Sequence, residues 1–243
     1  MTSFPSTHLS FVLELRQADP DARRQLLQVF LVRYLPPMRA FLRHDFRQLS
    51  SHQLEDFLQD FVTDHVLHKS LLEVFEKERG KLRTFICQCL KNSVYGKLRR
   101  EARRHELRQE PKHFLPPQDT EPQTSDSFDR AWAQHILCEA IVNFKNECHR
   151  QGRDVLWAVF DLRVLRQLTV GAPPLPYDEL SQRCDTPVHR LQNLLTTAKR
   201  RFRFHVERMI RDYALTDEEV QDEINDLMKI SAQYAPSADF GEH

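Results

Sequence analysis

Glycine is scarce in this 243-residue chain, at 5 residues. A β-sandwich or barrel needs glycine at many tight turns, so the count argues against an all-β fold. Glycine-rich phosphate loops are missing as well, since neither GxGxxG nor GxxxxGK[ST] occurs. No stretch approaches the roughly 18 consecutive apolar residues of a membrane-spanning helix. The opening residues, Met1 to His8, lack the basic and apolar parts of a secretory signal. Paired metal-type cysteines are absent too. Cys87, Cys89, Cys138, Cys148 and Cys184 are odd in number and show no CxxC spacing. Reduced thiols in a cytoplasmic protein are the expectation. Even net charge is missing, because 35 Lys and Arg balance 35 Asp and Glu.

What is present reads as helix. Hydrophobic residues at 40% and charged residues at 29% suit one large or two small globular domains. Leu26, Leu27, Phe30, Leu31 and Tyr34 recur at helical spacing, and so do Leu54, Phe57, Leu58, Phe61 and Val62. Asp19-Pro20-Asp21 and Ser50-Ser51 read as helix starts. Pro36-Pro37 predicts a break or kink. A second block carries Ala131, Trp132, Ile136, Leu137, Ala140, Ile141 and Phe144, then Val155, Leu156, Val159, Phe160 and Leu162. Gly171-Ala172-Pro173-Pro174 reads as a turn. The expected fold is all-α, with a helical domain at 9–108, a proline-rich linker at 109–127, a second helical domain at 128–213 and an acidic tail at 214–243. The linker and the end of the tail, from about Gln233, read as extended or loose.

The neutral total hides segregation. Lys81, Arg83, Lys91, Lys97, Arg99, Arg100, Arg103, Arg104, Arg108 and Lys112 meet only Glu101, Glu106 and Glu110 in the same segment. Phe85, Ile86, Leu90, Val94, Tyr95 and Leu98 are interleaved with them. A basic run is often only a solvated face. An excess this one-sided in a neutral chain points instead to nucleic acid. The helix just before it carries Glu55, Asp56, Asp60 and Asp64, which suit either solubility or docking of a basic partner.

Residues from Tyr177 to about Arg203 read as a helix-turn-helix. Tyr177 to Arg183 form the first helix and Cys184-Asp185 the turn. Thr186 is the expected N-cap and Pro187 the first helical residue. The second helix then shows Val188, Leu191, Leu195, Ala198 and Phe202 on one side. His189, Arg190, Gln192, Asn193, Thr196, Thr197 and Lys199 lie on the other. These are side-chain types that reach base edges and phosphates. Such a helix enters the major groove by its N-terminal part. An ordinary helical hairpin with a polar face has the same pattern.

The order of these elements resembles bacterial RNA polymerase sigma factors of the extracytoplasmic-function (ECF) group, with their regions 2 and 4. Asp21-Ala22-Arg23 and Arg33-Tyr34-Leu35-Pro36-Pro37 look like the start of region 2. Leu54 to Val62 resembles its acidic helix, and Glu78 to Phe85 its following turn. Leu90-Lys91-Asn92 and Arg99 to Arg104 resemble its basic helix. Tyr177-Asp178-Glu179-Leu180 and Lys199-Arg200-Arg201-Phe202-Arg203 match the two ends of region 4. Val220 to Ile224 looks like the C-terminal extension of one subgroup.

The resemblance implies roles. Glu55, Asp56, Gln59 and Asp60 would dock on the β′ clamp helices of core polymerase. Lys91, Asn92, Tyr95, Lys97, Arg99, Arg100, Arg103 and Arg104 would recognise and open the −10 element, where flipped bases stack and phosphates need neutralising. Arg190, Gln192, Asn193, Thr196, Thr197, Lys199 and Arg200 would read the −35 element. Further implied partners are the β flap and an anti-sigma factor. No membrane partner, cofactor, metal or catalytic residue is expected, and the free chain is expected to be a monomer.

Some positions depart from the pattern. Asp185 stands where the family has Gly in the turn, and Thr196-Thr197 stand where His-Arg is frequent. Cys87, Gln88 and Cys89 replace small or apolar residues. Two other readings therefore stay open: a stand-alone helix-turn-helix regulator, and a sigma-like interaction protein without promoter activity. An enzyme is the least favoured class. His44, His52, His65 and His68 with Asp64 imitate a metal set, but no second carboxylate-histidine pair completes it. The acidic tail is expected to fold back on the basic helices and compete with DNA, so that deletion after Tyr213 raises DNA affinity at low salt.

Overall fold

A computed structural model describes residues 9–68, 71–75, 81–106, 126–214 and 216–234. All regular structure among the described residues is helical. The α-helices are α1 (Leu9–Gln17), α2 (Pro20–Asp45), α3 (Ser51–Phe61), α4 (Leu82–Glu106), α5 (Asp126–Arg150), α6 (Asp154–Phe160), α7 (Arg166–Val170), α8 (Tyr177–Cys184), α9 (Val188–Arg211) and α10 (Asp217–Tyr234). A π-helical stretch, Val62–His68, continues α3, and another, Asp161–Leu165, joins α6 to α7. The expected linker falls outside the described residues as far as 125, and its last two residues begin α5. Gly80 and residues 235–243 also lie outside them.

The helix starts follow from local chemistry. The Asp19 carboxylate accepts hydrogen bonds from the Asp21 and Ala22 amides at 3.0 and 2.9 Å, and Pro20 fills the first turn, where no amide donor is needed. Ser50 and Gln53 form a reciprocal capping box at α3. The expected break at Pro36-Pro37 does not occur. Helix α2 runs through both prolines. Buried Phe30, Tyr34, Met38, Phe41 and Leu42 hold the two sides together, so packing outweighs the two lost amide donors.

The chain divides into two compact units. The first contains the described residues up to Trp132 together with Tyr213–Glu223, and the second contains Ala133–Asp212 with the residues from Ile224. Residues 128–132 and 213–223 thus group with the first unit, unlike in the sequence division. Phe128 explains the first case, because its ring packs edge-on to Phe41 at 5.7 Å. Within the acidic tail Asp217–Tyr234 form a helix, opened by a Thr216–Glu219 capping box and buried along Val220, Ile224, Leu227 and Ile230.

Arg83 closes the first unit. It is 2% exposed. Its Nη1 donates to both oxygens of Glu223 at 2.8 and 2.6 Å, and its Nε to Asp129 at 3.1 Å. The guanidinium also lies 4.1 Å from the centre of the Trp132 ring. Arg83 therefore leaves the set of cations open to nucleic acid. In the second unit, Phe144, Cys148, Leu156, Phe160, Leu165 and Ala198 form one cluster. Val159, Leu175, Leu180 and Leu191 form another, which seats α8 and α9 on α6.

Candidate nucleic-acid interface

Helix α4 carries the expected −10 residues. Ile86, Leu90 and Val94 are buried on one side. Asn92, Arg99 and Arg103 are exposed on the opposite side, as helical spacing requires, and Arg100 is exposed at the edge of the buried side. Arg99 and Arg103 have no ion pair or hydrogen bond among the described residues, and Arg100 donates only to the Gly96 carbonyl at 3.1 Å. The Arg104 side chain lies outside the described residues. Asn92 accepts a hydrogen bond from Gln88 at 3.1 Å.

Three expected DNA residues are instead engaged within the unit. Lys91 sits 5.5 Å from the Phe41 ring centre, and Tyr95 packs on Phe46 at 5.4 Å. Lys97 lies 4.7 Å from the Phe57 ring centre and pairs with Asp60. Each of these side chains thus covers a ring within the unit. Gly96 lies between Asn92 and Arg99, and a Cβ added there would meet nothing within 4 Å. Glycine inside a helix costs about 1 kcal/mol relative to alanine. Gly96→Ala is thus expected to raise stability by about that amount in urea melts.

The acidic helix is similarly part-occupied. Glu55 takes a bidentate contact from Arg39 at 2.6 and 3.0 Å, with Arg43 3.5 Å away. The Arg39 hydrogen bond holds the Glu55 carboxyl below the usual carboxylate range. Asp60 is held by Lys97, and Asp56 lies 3.5 Å from His52, with both side chains exposed. Gln59 is exposed. Asp56 and Gln59 are therefore the members of this set most open to a partner. The histidines do not assemble. His44 contacts Asp45 and His65 stacks on Phe61, and no group of three metal-type side chains occurs among the described residues. Burial pushes the Cys89 thiol up to about 11, which keeps it protonated at neutral pH.

In the second unit α8, a short turn and α9 follow one another as expected, but the cap differs. Pro187 precedes the first helical residue, Val188, and makes no side-chain cap. The Thr186 hydroxyl instead donates to the Cys184 carbonyl at 2.8 Å, and Ser181 Oγ donates to the Thr186 carbonyl at 2.8 Å. Both hydroxyls thus stitch the turn. Asp185 has φ +45° and ψ +48°, the left-handed region that glycine adopts without cost. This accounts for the glycine of the resembled pattern at this position. Asp185→Gly is expected to stabilise the chain by up to about 1 kcal/mol, and Asp185→Val to destabilise it by more, read as shifts in thermal midpoint.

Along α9, His189, Gln192, Asn193, Thr196, Lys199 and Arg200 are exposed. The Thr196 and Thr197 hydroxyls donate to the Gln192 and Asn193 carbonyls at 3.3 and 3.0 Å, so their hydrogens are used within the helix. Arg190 and Thr197 turn to a groove shared with Gly152, Arg153 and Leu156. They are thereby set off from the outward face of Gln192 and Thr196. The side chains of Gln192, Asn193, Lys199 and Arg200 have no polar partner among the described residues. Sequence reasoning missed Glu147, whose buried carboxylate binds Arg201 and His205 and so anchors α9 to α5. Only its distance from both partners along the chain concealed it. No family model, curated protein or solved structure matches this chain. No helix among the described residues is long and apolar enough to cross a membrane.

Proposed function

We propose that this chain is a non-enzymatic sigma factor of the extracytoplasmic-function kind. It binds core RNA polymerase in the bacterial cytoplasm and directs it to promoters. Helix α4 meets the −10 element, α9 meets the −35 element, and α3 docks on polymerase through Asp56 and Gln59. One observation carries this reading. Two helices, assigned to separate compact units, each turn to solvent cations that have no ion pair among the described residues, Arg99 and Arg103 on α4 and Lys199 and Arg200 on α9. The second set follows a tight helix-turn-helix. Solubility alone does not call for two such faces in a neutral chain. Linking two weak DNA modules raises their joint affinity through effective concentration.

The test is binding of the purified chain to core polymerase, followed by run-off transcription on genomic fragments. Binding with new, discrete start sites is expected. Binding without transcripts would replace the proposal with an interaction protein lacking promoter activity. Sequence-specific duplex binding without any polymerase binding would replace it with a stand-alone regulator.

A further inference from the structure

A stripe along α9 continues from three residues of the −35 set, Asn193, Thr197 and Arg200, to Phe204, Arg208 and Arg211, which that set does not include. Asn193, Thr197, Arg200, Phe204, Arg208 and Arg211 follow at i, i+4, i+7, i+11, i+15 and i+18, so they lie on one stripe. The stripe runs about 27 Å at 1.5 Å per residue. It is exposed throughout except at Thr197, which is half-buried. Arg200 and Arg208 flank Phe204 by one turn on each side, and neither has an ion pair or hydrogen bond among the described residues. The helix has a single acid, Glu207, and Arg203 occupies it at 2.7 Å.

Phe204 is 46% exposed at the middle of this stripe. A lone exposed apolar side chain needs no explanation. This ring, however, is held. The Arg201 guanidinium lies 5.0 Å from its centre, and Arg201 is itself anchored on Glu147. The His205 ring meets it edge-on at 5.8 Å. A fixed aromatic face between two free cations suits a base stacked on the ring with phosphates on either side. Insertion into a lipid surface calls for several apolar side chains on one face, and this stripe offers one. An acidic helical partner likewise needs a row of apolar anchors.

We infer that this stripe binds single-stranded nucleic acid, with Phe204 as the stacking platform and Arg200 and Arg208 as phosphate contacts. The inference rests on the reading of α9 as a nucleic-acid-facing helix. The test uses the full chain and a fluorescent oligothymidylate, with anisotropy read at several salt concentrations. Phe204→Ala is expected to weaken binding about five- to a hundredfold, and Phe204→Trp to retain it. Arg200→Gln and Arg208→Gln are each expected to flatten the salt dependence by about 0.7 in log–log slope. Circular dichroism checks that the variants fold, as exposed positions should. Equal affinity of Phe204→Ala and the parent chain overturns the inference, as does binding confined to duplex DNA or to acidic vesicles. Phe204-dependent binding without transcription would overturn only the sigma reading. Transcription without it would overturn only this inference.

Discussion

Arg83→Ala is expected to cost about 3–5 kcal/mol of unfolding free energy, the usual loss when one partner of a buried ion pair is removed. Glu223 is 0% exposed and would be left as a buried charge without the guanidinium that donates to both its oxygens. Glu223→Ala should cost a similar amount from the other side, because the buried Arg83 would lose the carboxylate that accepts from its Nη1. Urea titration followed by tryptophan fluorescence reads this directly, since Trp132 forms part of the cage. Arg83→Met combined with Glu223→Leu should recover part of the loss, because the fully buried Glu223 charge is removed together with its partner, while the partly exposed Asp129 keeps access to water. By contrast, Arg99→Ala on the exposed face should stay within about 0.5 kcal/mol of the parent. A loss below about 1 kcal/mol for either single variant would show that the cage admits water and is worth little. Deletion after Tyr213 removes Glu223 as well. Its principal expected effect is therefore instability of the first unit, and a rise in DNA affinity cannot be read without controlling for it.

The second large effect is expected at Glu147. Glu147 is 7% exposed, between buried His205 and half-buried Arg201. Burial disfavours its charge, but the hydrogen bonds from Arg201 and His205 outweigh that and hold the carboxyl below its usual range. Glu147→Ala should cost about 2–4 kcal/mol, less than a fully enclosed pair because Arg201 keeps some water. The pH dependence follows from the direction of the shift. A carboxyl whose folded pKa is depressed stabilises the fold fully above its unfolded value, near about 4.3, and this stabilisation is lost as pH falls through the folded value. Glu147→Gln should flatten the fall in stability as pH drops below about 4.3, measured by urea melts at successively lower pH. An unchanged acid slope would mean that other carboxylates carry it. Glu55 shifts in the same direction, but it is exposed enough for solvent to screen most of its contribution.

The helices were legible because their signals are local. Asp19-Pro20, Ser50 with Gln53, and the apolar repeats of α3 and α5 act within one or two turns. Thr216-Asp217-Glu218-Glu219 was an equally local capping signal for α10, yet the acidity of the segment masks it. The helix-turn-helix was legible for the same reason, down to Asp185 at a glycine-like position. Of the break or kink expected at Pro36-Pro37, the break does not occur, because proline cost is local while the packing of Tyr34, Met38 and Phe41 is not. Lys91, Tyr95 and Lys97 misled because charge and residue type do not say which flank of a helix meets another ring.

The amino-acid sequence by itself determined that this protein is helical, where α2, α3 and α8 begin, and that cations collect on two of its helices. Each of those properties depends on neighbours within a few residues. Only the tertiary structure decided which charges remain free. Arg83 meets Glu223 across 140 positions and Arg201 meets Glu147 across 54. A buried charge is stable only beside its opposite, and no short-range pattern records a partner that far away.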